Sequence, residues 1–490
     1  MNSAMLPESK LYIDGVVRRA AGNATYDNIG PWTGQVINQA AEASVQDVEA
    51  AIAAARRAFD QTDWSSRHAY RFELMKRYRD VLFANREKLV EIARHEAGAA
   101  IGAASRAHVD GALAGMDGLL ECFPQVTWEE SRGRRKDYGF ESERTVVHEP
   151  LGVVAAITPW NVPLYVNIGK VIAALLAGCT VVLKPAPDTP TMGAFMGELA
   201  VQADFPAGVF NVVTSSHPAT VGEMLVADKR VDLISFTGST AVGRRIMEKG
   251  AATLKRIFLE LGGKSVNIIL EDVPNFAQAV MGSMVIFHAG QGCATPTRLL
   301  VPRSRYAEAV KALEMAYAGF ATKWGVMNDP TQVMGPVISK KQLERVMGYI
   351  ELGKKEGARL LAGGNTRTDK GGGFFVEPTC FVDVRNEMRI AQEEIFGPVL
   401  VVIPFEDDAD AIRIANESEY ALGGSILSGD KERAKAMARR VQSGAMSVNG
   451  GMSITGDLPF GGFKSSGMGR EWGREGIEEF LDTKVIAVRV

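Results

Sequence analysis

The sequence predicts an α/β protein built on a doubly wound parallel sheet, with a second α/β region following it. Three observations carry that expectation. A chain of 490 residues exceeds what one hydrophobic core serves, so two or three domains are expected. From Gly152 onward, short apolar runs alternate with helical stretches, the pattern of parallel strands covered on both faces. After about Leu261 a similar alternation begins again.

Taken in order, the elements follow from local signals. Ser44 and Asp47 stand at capping-box spacing, and Val48, Ile52, Ala55 and Phe59 follow at helical intervals, so a helix starts there. A second long helical stretch is expected from about Arg67 to Glu96. Trp128–Arg144 is polar and charged and reads as an excursion, a hairpin rather than a linker. Strands of the first region are expected at Val153–Ile157, Val181–Lys184, Val209–Val213, Leu233–Phe236 and Ile257–Glu260. Helical stretches such as Val166–Leu176, stopped by Gly178, lie between them. In the second region the strands are Val266–Leu270, Leu299–Pro302 and Val399–Phe405, and Gly371-Gly372-Gly373 marks a loop. The tail from Thr483 to Val490 is β-rich and suited to adding to an edge strand.

Composition narrows the function classes. With 46% hydrophobic and 23% charged residues, the chain has the make-up of a soluble globular enzyme. A net charge of −3 and a pI near 6.2 give no electrostatic case for nucleic acid or a membrane surface as partner. The cysteines Cys122, Cys179, Cys293 and Cys380 show neither CxxC nor Cys/His spacing. That argues against a bound metal and a disulfide framework, and suits a reducing compartment. Met1 to Lys10 lacks a cationic-then-apolar pattern, and no apolar run reaches the roughly 18–20 residues of a membrane span. A cytoplasmic location is expected.

Four features carry chemistry. Cys293 sits in Gly290-Gln291-Gly292-Cys293-Ala294, a Gly-flanked turn that a ligand can approach closely. Most cysteines are small buried hydrophobes, and Cys122, Cys179 and Cys380, in or beside apolar segments, keep that reading. Glu260 closes Ile257-Phe258-Leu259. If desolvated, its pKa rises and it becomes a competent base near neutral pH. Asn161 lies between Pro159 and Pro163 just after a strand; its amide either closes a turn or aims at a developing oxyanion. Phe236–Gly243 is a strand-to-helix turn whose exposed amides suit a phosphate. Its spacing is GxxxxG, neither GxGxxG nor a Walker motif. Ligands of such sheets bind beyond the carboxyl ends of the strands, where Asn161, Lys184 and Gly238 fall.

Read together, these residues resemble the aldehyde dehydrogenase superfamily, in its hydrolytic, NAD(P)-dependent branch. The likeness runs from about Tyr12 to Lys484 and rests on Thr158–Pro163, Lys184-Pro185-Ala186, Phe236–Gly243, Leu259–Lys264, Gly290–Cys293, Glu394–Pro398 and Pro459–Lys464. The resemblance implies Cys293 as nucleophile, Asn161 and the Cys293 amide as oxyanion donors, and Glu260 as the base that activates water. Lys170 and Glu471 would relay protons near Glu260. For the cofactor it implies Trp160, Lys184, Gly238, Ser239, Gly243, Leu261, Glu394 and Phe396. One departure stands out: where NAD-preferring members commonly carry a glutamate, this chain has Pro187, followed by Asp188. NAD is expected, with NADP tolerated.

At pocket positions the resemblance places Val162, Tyr165, Val166, Gly169, Gly292, Ala294, Met452, Ile454 and Phe460. Small residues at Val162 and Gly169 imply a wide, mainly apolar tunnel. The expected substrate is a medium-to-large apolar aliphatic or aromatic aldehyde. A CoA-acylating dehydrogenase is the alternative within enzymes, which Glu260 disfavours; a catalytically silent structural relative is the other. The resemblance further implies a Rossmann-type dinucleotide-binding domain (1–125 and 149–259) and a catalytic α/β domain (260–455). A small β oligomerisation or bridging region (126–148 and 456–490) would form a homodimer or homotetramer by adding its tail strand to a neighbour's sheet.

Overall fold

The computed structural model describes residues 6–490, so the first half of the Met1–Lys10 stretch lies outside the described residues. Among these residues the first sheet runs Val16–Arg18, Leu11–Ile13, Phe210–Val212, Thr180–Lys184, Val153–Ile157, Leu233–Thr237, Arg256–Glu260, Gly467–Met468. Its five central strands are parallel, and antiparallel strands close both edges. Every residue of Val153–Ile157, Thr180–Lys184 and Leu233–Thr237 is buried, which is why these runs lack the alternation of a strand with one wet face.

The second sheet runs Arg359–Ala362, Thr379–Val382, Val399–Phe405, Arg298–Pro302, Val266–Ile269, Gly423–Leu427, Ala445–Val448. It is parallel apart from its Arg359–Ala362 edge. Only the short link between Glu260 and Val266 joins the two sheets at this point. Glu260 therefore ends a strand of the first sheet while facing the second.

The helices follow their local signals with one difference. Val45–Gln61 begins at a reciprocal Ser44/Asp47 capping box, and Pro163–Ala177 ends at Gly178 with φ 103°, a left-handed cap that glycine adopts without strain. The stretch expected as one helix from Arg67 to Glu96 is two, His68–Ala84 and Arg86–Glu96. Asn85 leaves helical geometry between them, and its side-chain amide donates to the Val81 carbonyl at 2.9 Å. That local bond competes with continuing the helix.

The polar excursion forms the hairpin Glu129–Asp137/Phe140–Pro150, and Leu481–Arg489 pairs with its second strand over nine positions. The tail strand thus has one partner within its own chain, Phe140–Pro150, and it forms an edge of this three-stranded sheet. Within 456–490, Gly467–Met468 closes the first sheet and Leu481–Arg489 joins the hairpin.

Candidate active site

A cleft of about 940 Å³ opens between the sheets. One wall is made by the carboxyl ends of first-sheet strands: Asn161 follows Val153–Ile157, Gly238 follows Leu233–Thr237, and Glu260 ends Arg256–Glu260. The other wall comes from turns that feed second-sheet strands, namely the segment around Cys293 before Arg298–Pro302 and Glu394–Phe396 before Val399–Phe405.

Cys293 is partly open to the cleft, while Glu260 is 2% exposed. Each bears on the other's ionisation. Burial holds the Glu260 carboxyl well above the usual carboxylate range, and Glu471 adds to the shift, while Lys170 and the Cys293 thiol work against it. Burial likewise pushes the Cys293 thiol up, reinforced by the charges of Glu260 and Glu394. Both shifts favour the protonated forms, and a proton must leave before either group acts.

Asn161 is buried, and its side-chain amide donates to the Gln291 carbonyl at 3.0 Å. Gln291 is itself stapled: its side-chain oxygen accepts from Ile338 N at 2.8 Å, and its side-chain amide donates to the His288 carbonyl at 3.1 Å. Behind Glu260, fully buried Lys170 pairs with Glu471 at 2.5 Å and donates to Ser235 Oγ at 3.1 Å.

At the other end, Ser239 caps the helix Thr240–Gly250 by accepting from Val242 N at 3.4 Å. A Cβ on Gly238 would lie 2.5 Å from the Phe236 ring, and one on Gly243 would lie 2.7 Å from Leu261. Glu394 accepts from Gly263 N at 3.0 Å, and Trp160 meets Phe396 edge-on at 5.2 Å. Lys184 is 2% exposed and donates to the Pro185 carbonyl at 3.2 Å. Burial lowers its pKa to about 8.

Most residues singled out from sequence share this cleft: Trp160, Asn161, Val162, Tyr165, Val166, Gly238, Ser239, Glu260, Leu261, Gly292, Cys293, Ala294, Glu394, Phe396, Ile454, Phe460 and Glu471 line it. Lys170, Lys184, Pro187 and Gly243 are not among the lining residues. Met452 does not face the cleft; it is 76% exposed on an outer loop. Gly169 overturns an expectation. A Cβ there would meet the Trp472 ring at 2.9 Å, so the space left by the glycine is filled by an indole, not by a wider tunnel.

Trp472 is the main residue that sequence reading missed. It lines the cleft, is 1% exposed, and packs 4.4 Å from the Tyr165 ring. The Glu471-Trp472-Gly473 segment carries no local sign of this. Asp188, noted only as the neighbour of Pro187, also lines the cleft and feels the charges of Lys341 and Lys184.

Residues 17–486 match the model of the aldehyde dehydrogenase family. An aldehyde dehydrogenase of Mycobacterium tuberculosis, solved with NAD+, is 39% identical, with 98% of each chain covered and a TM-score of 0.93. A cysteine-to-alanine mutant of aldehyde dehydrogenase C from Pseudomonas syringae, solved with NAD+ and octanal, is 37% identical over 99% of this chain and 96% of that one, with a TM-score of 0.88. Betaine aldehyde dehydrogenase of Staphylococcus aureus, solved with NAD+, is 35% identical over 98% of this chain and 94% of that one, with a TM-score of 0.93.

Proposed function

As the chain belongs to the aldehyde dehydrogenase family, we propose that it oxidises a medium-to-large, mainly apolar aldehyde to its carboxylic acid with NAD+, by hydrolysis of a thioester on Cys293. The observation that carries this reading is the meeting of Cys293 and Glu260 across one cleft, from different sheets, beside Asn161.

The chemistry divides among these groups. Cys293 passes its proton to Glu260 and its sulfur bonds to the aldehyde carbon, while Asn161 and the Cys293 amide hold the oxygen that becomes negative. Bound nicotinamide supplies the acceptor for the hydride that leaves this carbon. The acyl group then sits on sulfur, and Glu260 takes a proton from water as the water oxygen attacks. The C–S bond breaks, acid departs, and the thiol is restored. Buried Lys170 and Glu471 carry the proton away from Glu260.

The cleft suits a dinucleotide. The capped turn at Ser239 presents amides to a pyrophosphate, and Glu394 and Phe396 border the Cys293 end. Asp188 supports NAD over NADP, because a carboxylate there accepts hydroxyl bonds and repels a 2′-phosphate. An apolar substrate is supported by Val162, Val166, Ile454, Phe460 and Trp472 on the lining. The Pseudomonas syringae relative, solved with octanal, fits the same class.

A kinetic screen of aldehydes of increasing length, each with NAD+ and NADP+, tests the reading. Rates are expected to rise toward chains of about octanal size and to favour NAD+. A maximum at acetaldehyde or succinic semialdehyde overturns the substrate class. Acyl-CoA formation on adding CoA overturns hydrolysis. Cys293→Ser is expected to abolish oxidation while retaining NAD+ binding.

A further inference from the structure

The turn before Cys293 is strained. His288 (φ 47°), Ala289 (φ 51°) and Gly290 (φ 71°) are consecutive left-handed residues, two of them not glycine. Such conformations persist only where the surroundings fix them. Backbone bonds supply part of the constraint: His288 N donates to the Val333 carbonyl at 3.1 Å, and the His288 carbonyl accepts from both Gln291 N and its side-chain amide at 3.1 Å.

The His288 ring is packed against a second histidine. It is 2% exposed and meets the ring of fully buried His108 edge-on at 4.6 Å. No ring nitrogen of either histidine makes a well-formed hydrogen bond, although the Asn161 backbone approaches the His288 ring. His108 is carried by Ala104–Asp110, which is wound as a π-helix, a rare form associated with functional sites. His288, itself in the nucleophile turn and on the cleft lining, therefore touches both the π-helix and the Asn161 loop.

We propose that His288, backed by His108, is the positioning residue of the oxyanion site, its ring wedging the left-handed turn so that the Gln291 carbonyl holds the Asn161 amide beside Cys293. The inference rests on the functional reading above. His288 acts through Gln291 and Asn161 and needs no contact with substrate. Removing the wedge lets the turn relax toward ordinary backbone angles, and Asn161 loses its fixed partner.

The test compares two reactions of Cys293 without cofactor. Acylation by an activated ester passes through a tetrahedral oxyanion; alkylation by iodoacetamide does not. His288→Ala is expected to slow ester acylation about 30-fold, part of the roughly 100–1,000-fold that a lost oxyanion donor costs. Alkylation is expected to stay within about two-fold and the aldehyde KM within about three-fold, while kcat falls with acylation. His288→Phe, which keeps a ring in place, is expected to restore most of the acylation rate. Equal slowing of both reactions, unchanged acylation in His288→Ala, or a Phe variant as slow as Ala each overturns the proposal. If His288→Ala does not fold, His108→Leu gives the same test: slower acylation with unchanged alkylation supports the wedge, and equal slowing overturns it. A wild-type enzyme that is never acylated on Cys293 defeats the functional reading instead.

Discussion

Trp472 and position 169 should compete for one space, and a double-mutant cycle measures the competition. The indole is 1% exposed and lies 2.8 Å from the Cβ position of Gly115 and 2.9 Å from that of Gly169. Trp472→Ala removes a packed aromatic, a change that costs about 3–5 kcal/mol in a protein core. The void opens on the cleft and water refills part of it, so the expected loss is about 3 kcal/mol. Gly169→Trp alone drives a second indole into the first. With even a methyl carbon at 2.9 Å, overpacking of about 3 kcal/mol is expected.

In the double variant one indole, now rooted in the helix Pro163–Ala177, occupies the volume vacated by the other. The two losses should then fail to add, with about 2 kcal/mol or more recovered as coupling. Urea unfolding followed by circular dichroism, at fixed protein concentration because association shifts midpoints, gives the four stabilities. Additivity within about 0.5 kcal/mol would refute the claim that Trp472 fills the space of residue 169.

Three further outcomes follow from the buried titrating groups. Glu260→Gln is expected to slow hydrolysis by roughly 100–10,000-fold, giving a burst of NADH and an acyl-Cys293 that mass spectrometry detects. Because the Glu260 pKa is raised, the wild-type deacylation rate should climb with pH above the ordinary carboxylate range, and a glutamine variant showing the same climb would exclude Glu260 as the base. Burial lowers the His288 pKa from 6.5 to about 4, so acid protonates this group in the unfolded chain first. Stability is therefore lost as pH falls from about 6.5 through 4, by up to about 3 kcal/mol for a shift of 6.5 − 4 = 2.5. Measured as wild type minus His288→Phe, the opposing effect of Glu96, raised to about 7, cancels. A difference that does not change between pH 7 and pH 4 contradicts the buried neutral ring.

Much of this protein is written locally. The capping box at Ser44, the left-handed stop at Gly178 and the doubly buried strands Val153–Ile157 and Thr180–Lys184 each follow from a few adjacent residues. Cys293, Glu260 and Asn161 could be singled out because each sits at a strand end or in a Gly- or Pro-bounded turn. The break at Asn85 was missed because the helical pattern on either side is continuous and only one amide decides the matter.

By itself, then, the sequence determined the strands, the turns at their carboxyl ends and the reactive groups placed on them, since backbone propensity and face periodicity act over short distances. Only the tertiary structure decided what fills the gaps between them. Trp472 reaches Gly169 across the fold, Leu481–Arg489 returns to its own hairpin, and His108 leans on His288. A burial pattern records that a face is covered, but close packing between distant segments selects the side chain that covers it.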